Sequence, residues 1–530
     1  MSEHYEYRFD PGTGEPVAER YSLYENVFAW LSVAAGYGFC RVFPVHQHPF
    51  GGFLFILALY LASVILLKLK GASFGMMSLV MGGSALLLSP ALFLSANSMI
   101  HFLVYLYALA AWFYTVSAAC GNTLEKGFSE LLFADFFKAI IVMPAASFAK
   151  LFSVLFSGKR RTGGKTLLKL LLGIGIAVIP TVVVLALLSY DSAFTALLKK
   201  LFDFGWSNIL SHAFSFLLGI PIGMYLFAAF FSASRNRCAE SFTAEHYRAG
   251  LAVFQLLPGI SAVAAILPVL LVYLLFFVSQ WQYYLSAFTG VLPGGMTFAE
   301  YARSGFFQLC TVSVINLIIM ILLQVFVRRR EEKPLLLTRI LSAILSAFTL
   351  ILIATAIAKL WLYIDRFGLT PKRVYAGWFM IILAVIFVLA AVKQFAVRFK
   401  LVPTATLACV VLFGVLALSG SDSLIARYNA ERYMNGTLEI VDVSAMEELG
   451  DAAVPSMVRL VKFLDRQNGT DIRNFPFDSQ NDLYNDLARY LYYDAAQQEP
   501  CTFFSVTLPR IRADHALQEA GIEAGKRTDQ

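Results

Sequence analysis

The sequence predicts an all-α fold, a polytopic transmembrane helix bundle of about eleven spans followed by a small soluble helical domain. The first observation is composition: 58% of the 530 residues are hydrophobic and 15% are charged, whereas soluble proteins carry about 25% charged residues. The second is that apolar windows of membrane length recur between short loops. The third is that these windows stop at residue 419. We therefore expect a polar N-terminal tail (1–25), a bundle (26–419) and a soluble helical domain (420–530).

Each predicted span is an apolar window, because crossing the bilayer core takes about 20 apolar residues in a helix. The first window is the weakest of the set. The windows are 26–43, 51–67, 75–95, 99–119, 167–188, 209–232, 256–279, 305–327, 338–358, 375–392 and 401–419.

The basic residues of the loops predict an orientation. With the N-terminus inside, the cytoplasmic segments hold twenty-three Lys and Arg residues and the outer loops hold eight. Lys and Arg accumulate on the cytoplasmic side of membrane proteins. The sequence thus predicts a multi-pass protein of the cell (plasma) membrane with a cytoplasmic N-terminus and an extracytoplasmic C-terminal domain. Basic inner loops are expected to contact anionic lipid, and nucleic acid is excluded as a partner because these charges lie between apolar spans.

Two connections are predicted to be more than loops. Residues 194–203 place apolar side chains on one helical face, which is typical of an interfacial helix on the outer surface. The cytoplasmic stretch 124–165 forms an elbow with Asp135 in the middle of an apolar face. Such a carboxylate is costly unless paired. Either a neighbouring helix end or an Arg satisfies Asp135, or it is a functional acid at the membrane interface.

The C-terminal domain is predicted from its helical pattern. A capping box at Ser444 and Glu447 is expected to open one short helix, and Asp451 to cap the next. Together they resemble one helix pair of a HEAT-type repeat. Residues 482–493 predict another amphipathic helix. From Ser421 onward there are eighteen Asp and Glu residues against eleven Lys and Arg, and this acidic helical domain is expected to bind a protein partner.

The sequence shows no recognised catalytic or cofactor-binding motif. The segment GKRRTGGKT fails as a phosphate-binding loop, because Lys159 stands where the pattern requires glycine and no strand precedes it. No metalloprotease, nucleophile-elbow or zinc-ligand spacing is present. We expect no cofactor and no metal. The spans also contain few ionisable residues, which does not favour an ion-coupled transporter.

The most distinctive segment is GGMTFAEYARSGFFQL, which enters the window 305–327 from the outer side. Thr297 and Glu300 fit a capping box, and Arg303 can pair with Glu300 on the helix surface. The alternative is a Glu, Tyr and Arg cluster at the mouth of the bundle that binds a partner or substrate.

The segment AEYARSGFFQL, together with SLIARYNAERYMNG and LGDAAVP after the last span, resembles an uncharacterised family of multi-pass bacterial membrane proteins. That family is catalogued as a domain of unknown function (four-one-seven-three, or a close relative), and the resemblance runs from about Gly51 into the tail. The second segment begins with Ser421 and Asp422 where relatives often have Asn-Pro. The resemblance supports the architecture and implies no activity. It carries over these residues: Glu300, Tyr301, Arg303, Gly305, Arg427, Tyr428, Asn429 and Arg432.

Three functions are compatible with the sequence. The leading hypothesis is a non-enzymatic envelope protein whose bundle anchors and couples to an external helical domain, in sensing, scaffolding or assembly. The second is a carrier or flippase for a lipidic or small solute. The third is a membrane enzyme on lipid-linked substrates, with Asp135 or Glu300 as acid or base.

Overall fold

The computed structural model describes most of the chain. The described residues are 21–43, 48–127, 129–155, the single positions 173, 184, 188, 191 and 194, and then 206–237, 242–255, 257–279, 306–327, 336–396, 398–469, 471–474, 482–496 and 502–522. Apart from one isolated bridge, the regular elements in this part of the chain are all helices, as predicted. The basic segment 158–165 lies outside the described residues, as does nearly all of the window 167–188 and of the interfacial stretch 194–203.

Twenty α-helices are described, and two of them are extended by π-helical turns (Lys138–Val142 after α6 and Tyr490–Ala495 after α19). In chain order they are α1 (Leu23–Val42), α2 (Pro49–Leu69), α3 (Met76–Leu88), α4 (Ala91–Leu94), α5 (Ser98–Ala119), α6 (Leu132–Phe137), α7 (Met143–Ser147), α8 (Lys150–Leu155), α9 (Trp206–Ser234), α10 (Ala244–Phe254), α11 (Gly259–Ser279), α12 (Phe306–Phe326), α13 (Leu336–Phe367), α14 (Pro371–Phe395), α15 (Leu401–Leu418), α16 (Ser421–Met434), α17 (Val443–Glu447), α18 (Val454–Asn468), α19 (Asp482–Arg489) and α20 (Leu508–Glu519).

Nine helical stretches in the described part of the chain are long and apolar enough to cross a membrane. They are α2, α3 together with α4, α5, α9 from Ser211 onward, and α11 to α15. Each corresponds to one predicted window. The first window forms α1, which is of similar length but falls outside the nine. Nine of the eleven predicted spans are therefore helices of membrane-spanning character.

The first half of the bundle packs α1, α2, α3, α5 and α9 around one apolar core. At its centre Phe28 stacks on Phe230, with ring centroids 3.9 Å apart. The crossing of α1 and α9 is closer than side chains permit, because a Cβ built on Gly36 would lie 2.0 Å from the carbonyl oxygen of Gly219. Glycine at this crossing lets the two backbones touch, as small residues do between membrane helices.

Polar contacts at both ends fix α1 antiparallel to α9. At one end Arg235 donates to Glu25 through Nε at 2.5 Å and Nη2 at 2.7 Å, and both side chains are buried. At the other end Arg41 donates to Ser211 at 2.9 Å. The helix α1 thus reaches from one end of the bundle to the other, although its composition is less apolar.

The second half of the bundle packs α11, α12, α13 and α14 around a separate core. A short polar chain links three of these helices. Tyr273 donates to Asn316 at 2.6 Å, and Asn316 donates in turn to Thr349 at 2.9 Å. A neutral amide that bridges membrane helices satisfies its own polar groups inside the apolar core.

A third core lies in the C-terminal domain, between Ile425 and Ile522. Its central helix is α18, which packs against α16, α19 and α20. The predicted HEAT-type pair is not seen, because its first helix, α17, has only five residues and α18 packs chiefly on α16 and α20. The predicted caps are also wrong. Asp442, not Ser444, caps α17 by accepting from the backbone N–H of Ala445 at 3.0 Å, and no side chain caps α18.

Candidate functional site

The junction between the bundle and the C-terminal domain begins at Gly420. The last described membrane helix, α15, ends at Leu418, and Gly420 adopts φ +61° before α16 begins. A left-handed backbone is ordinary for glycine and strained for other residues. This turn redirects the chain, so that α16 packs against both α14 and α18.

The central contact of the junction is made by Asn429 of α16. Its side chain is buried, its Oδ1 accepts from the backbone N–H of Leu369 at 2.7 Å, and its Nδ2 donates to the carbonyl of the same residue at 2.7 Å. Leu369 lies in the short loop between the membrane helices α13 and α14. One amide thus pairs with both backbone polar groups of the partly buried Leu369 and ties the domain to the bundle.

Arg432 adds a second contact to the same loop region. Its guanidinium donates to the carbonyl of Thr437 at 2.8 Å and to the Tyr428 hydroxyl at 3.2 Å, and it lies 3.4 Å from the carboxylate of Asp365 at the end of α13. Arg427 instead pairs with Glu431 on the exposed side of α16 at 2.9 Å. Of the four residues singled out in SLIARYNAERYMNG, Tyr428, Asn429 and Arg432 therefore make contacts at the junction. Arg427 forms an ion pair on the surface of α16.

The domain is also attached to the first half of the bundle. The backbone N–H of Gly51, at the start of α2, donates to the carbonyl of Phe504 at 3.0 Å. The rings of Phe50 and Phe503 meet edge to face with centroids 5.2 Å apart. Because this attachment is remote from Asn429 in the chain, the domain is held at two places rather than on a single tether.

A polar cavity of about 250 Å³ lies within the junction. Asp422 lines it and is buried, and Tyr375 donates to its carboxylate at 3.4 Å. Burial raises the pKa of Asp422, while hydrogen bonds from Asn97, Tyr375 and Ser421 partly oppose that shift. The lining residues are Ala96, Asn97, Ser98, Asp422, Glu448, Leu449, Gly450 and Asp451.

The acidic side of this cavity is supported by Arg510 of α20. Arg510 is buried, its Nη1 lies 3.3 Å from Asp451 and its Nε lies 3.1 Å from Asp514. The two carboxylates compensate the buried guanidinium, as a buried charge requires. Asp451, which was predicted to cap α18, therefore connects α20 to the edge of the cavity.

Asp135 lies at the opposite end of the bundle, in the elbow. Its side chain is buried and accepts from the backbone N–H of Leu124 at 2.6 Å. Burial raises its pKa from 3.8 to about 6, while the Leu124 hydrogen bond and the charge of Lys138 act in the opposite direction. The partner is a backbone N–H in the bend before α6, neither a helix end nor an Arg, so both alternatives for Asp135 stay predictions.

The structural roles of two charged residues, Glu130 and Lys359, were not predicted from the sequence. Glu130 accepts from the backbone N–H groups of Leu401 and Val402 and from Lys393, all within 3.0 Å, so it caps α15. Lys359 was expected in an outer loop after the window 338–358. It lies instead within α13, which continues to Phe367, and it is completely buried.

The other predicted site residues cannot be placed. Glu300, Tyr301, Arg303 and Gly305 lie outside the described residues, so the structure tests neither hypothesis for that segment. Among the residues that are described, no three His, Cys, Asp or Glu side chains converge as a metal site.

The fold and the junction define a class, a polytopic α-helical membrane protein with a helical domain fastened to one end of its bundle. The chain belongs to the family of the domain of unknown function DUF4153, whose model matches residues 76–460. The resemblance seen in the sequence gave the right kind of family, although the number four-one-seven-three is not matched and the model begins at residue 76 rather than near Gly51. No curated protein and no solved structure matches the chain.

Proposed function

We propose that the protein is a non-enzymatic envelope protein whose membrane bundle anchors the C-terminal helical domain and couples to it, in sensing, scaffolding or assembly. The observation that carries this proposal is the pair of hydrogen bonds between Asn429 and the backbone of Leu369. Those bonds would transmit a displacement of α13 or α14 directly to α16. The second attachment at Gly51 supports a fixed pose of the domain, and its acidic surface suits a protein partner.

We further propose an orientation in the plasma membrane. The end of the bundle opposite the domain holds the pairs between Glu25 and Arg235 and between Glu130 and Lys393. This end carries the more basic loops, so we assign it to the cytoplasm, where those loops would contact anionic lipid. The domain is then extracytoplasmic, and α1, lying along α9, is a further crossing.

Thiol labelling tests this orientation. In a chain without its six native cysteines, Gln467→Cys places an exposed thiol on α18 and Lys126→Cys places one on the elbow. An impermeant thiol reagent is expected to label Gln467→Cys in intact cells and Lys126→Cys only after permeabilisation. The reverse pattern would place the domain in the cytoplasm.

The coupling itself is tested by Asn429→Leu, which keeps the size of the side chain and removes both hydrogen bonds. Leaving the N–H and the carbonyl of Leu369 without this partner is expected to cost about 2 to 4 kcal/mol. In a deletion strain, envelope permeability to an excluded dye would measure rescue. Asn429→Leu should insert and reach wild-type abundance but fail to rescue, whereas Asn435→Leu, an exposed asparagine at the end of the same helix, should rescue fully.

This test requires that Asn429→Leu loosens the contact between the C-terminal domain and the loop between α13 and α14. Limited proteolysis of the loop between α13 and α14 reports that directly, because Gly368 is buried and Leu369 is partly buried while the domain is docked, and loosening is expected to increase cleavage there. A variant whose loop becomes protease-sensitive and which still rescues fully would refute a function that needs coupling.

A carrier for a lipidic or small solute is the competing proposal. A polar cavity at mid-membrane would support it. The polar cavity that we describe lies at the junction with the domain, and the larger cavity, described below, is apolar. A membrane enzyme with Asp135 as acid or base is less well supported, because the contact of Asp135 with Leu124 accounts for its burial.

A further inference from the structure

An apolar groove of about 420 Å³ runs along the bundle below the C-terminal domain. Its volume falls within the usual range for small-molecule pockets, about 300 to 1,000 Å³. Helices α13, α14 and α15 form most of its wall, and α16 closes the end nearest the domain. The lining residues are Ile357, Leu360, Trp361, Ile364, Leu369, Arg373, Val374, Gly377, Trp378, Ile381, Val415, Leu416, Ser419, Ser421, Leu424 and Ile425.

The groove crosses from the membrane spans to the domain. Along α14 it extends from Arg373 to Ile381, a rise of about 12 Å at 1.5 Å per residue. Leu424 and Ile425 belong to α16, which follows the last described span. Water in so apolar a groove is unfavourable. The apolar material available at this depth is the hydrocarbon of the bilayer, so an acyl chain is the occupant that the surroundings supply.

The positively charged side chain of Arg373 lies at the end of the groove nearest the C-terminal domain. Arg373 stacks over the ring of Tyr363, with Cζ 4.2 Å from the ring centroid. It also donates through Nη1 to the carbonyls of Phe367 and Gly368. Within the described part of the chain both bonds use one nitrogen, so the N–H groups of Nε and Nη2 remain for an anion. A guanidinium held in this way suits phosphate, to which it can donate twice.

Neighbouring side chains complete a site of interfacial character. Lys372 precedes Arg373 and is largely exposed, with Glu448 at 3.2 Å. An exposed pair of this kind is weak, so Lys372 still adds positive charge for an anionic headgroup. Trp361 is two-thirds exposed at the same end, and Trp is typical of the level of lipid headgroups.

We propose that the groove binds an acyl chain of an anionic phospholipid, with the phosphate at Arg373 and Lys372. The site differs from ordinary contact with surrounding lipid in two ways. The acyl chain lies in a groove lined by four helices, and the headgroup is selected by charge. The proposal is independent of the coupling function, since it requires no partner of the domain and no displacement of the spans.

Quenching of Trp fluorescence tests the proposal with the full chain in mild detergent. Phosphatidylglycerol and phosphatidylcholine, each with brominated acyl chains, are titrated against the protein. Trp378 lines the groove, so a brominated chain bound in it should quench part of the fluorescence saturably. Half-saturation is expected at about tenfold lower concentration for phosphatidylglycerol, a difference of about 1.4 kcal/mol.

Two variants with matched controls locate the site. Arg373→Gln should remove the preference for phosphatidylglycerol, whereas Arg366→Gln, an exposed arginine at the end of α13, should retain it. Leu424→Phe fills the groove and should weaken quenching by both lipids, whereas Leu418→Phe, outside the groove lining, should not. Size-exclusion profiles and thermal unfolding show whether each variant is folded.

Three results would overturn the assignment. Equal half-saturation for the two lipids in the wild-type protein would reduce the groove to general lipid contact. An unchanged preference in folded Arg373→Gln would remove Arg373 from the site. Displacement of the lipid by inorganic phosphate at moderate concentration would show that the anion alone is the ligand.

Discussion

Replacing Asp135 by Asn removes one ionisation from the elbow while keeping an oxygen that can accept from Leu124. The pKa of this carboxyl is raised from 3.8 to about 6 in the folded protein, so the folded state holds the proton more tightly than the unfolded state. The stability from protonated Asp135 is fully present below pH 3.8 and is lost as the pH rises through about 6. The Asn variant does not lose it.

The size of the effect follows from the two pKa values. Raising the pKa from 3.8 to about 6 corresponds to about 3 kcal/mol, at about 1.36 kcal/mol for each pH unit. The side chain is 4% exposed, so screening by solvent is small. We therefore expect the free energy of unfolding of Asp135→Asn, minus that of the wild type, to increase by about 3 kcal/mol between about pH 3 and about pH 8, most of it between about pH 4 and about pH 7.

Both proteins are unfolded with urea in detergent at several pH values, and unfolding is monitored by a spectroscopic signal from the bundle. Glu130→Gln serves as a control of opposite sign. Hydrogen bonds from Lys393, Val402 and Leu401 outweigh desolvation and lower the pKa of Glu130. Its contribution is present above its unfolded pKa and is lost as the pH falls. A difference for Asp135→Asn that is constant with pH, or that grows towards acid, would refute the account of this carboxylate.

Three substitutions probe the packing. Gly36→Ala forces a methyl group to within 2.0 Å of the facing backbone and should lower the free energy of unfolding by about 1 to 3 kcal/mol, whereas Gly38→Ala, whose nearest contact is at 3.7 Å, should be mild. Gly368→Ala and Gly436→Ala both strain a left-handed backbone, but only Gly368→Ala would place a Cβ 2.5 Å from the side-chain oxygen of Asn429. The additional decrease in thermal stability of Gly368→Ala relative to Gly436→Ala therefore measures the contact between Asn429 and Leu369. Arg235→Met removes the cation from the buried Glu25 carboxylate, which keeps only its capping-box bond from the Ser22 N–H among the contacts described, and should cost about 3 to 5 kcal/mol. Replacing Glu25 by Met as well should recover part of that loss, and full additivity in a double-mutant cycle would exclude the pairing.

The sequence predicted the membrane helices well, because hydropathy is a local property. Their ends were predicted less well. The window 338–358 stopped before the charged Lys359, yet α13 continues to Phe367 with that lysine buried. A hydropathy average treats a lysine as the end of a span and carries no information about the surroundings of its side chain in the fold. Asp442, rather than Ser444, caps α17. Asp and Ser are both common N-cap residues and the two positions are close in the chain, so the sequence pattern did not distinguish them.

The candidate site was predicted only in part. Asn429 was singled out, but its partner Leu369 is sixty residues away in the chain and contributes only backbone atoms. A backbone partner carries no residue type that a sequence could display. The roles of Asp422 and Arg510 likewise depend on segments that only the fold brings together. The segment containing Glu300 lies outside the described residues, and its two interpretations stay predictions.

The ion pair between Glu25 and Arg235 has a consequence for biosynthesis. The two residues are 210 positions apart, so at about 5 to 20 residues per second α9 is completed about 10 to 40 s after α1. During that interval the Glu25 carboxylate lacks its arginine, and the glycine face of α1 lacks the helix on which it packs. In the orientation that we propose, α1 crosses the bilayer, and the retention of this weakly apolar helix is then expected to depend on the arrival of α9. Slowing translation between the two helices should increase degradation of the nascent chain, and replacing Glu25 by Gln should reduce that sensitivity.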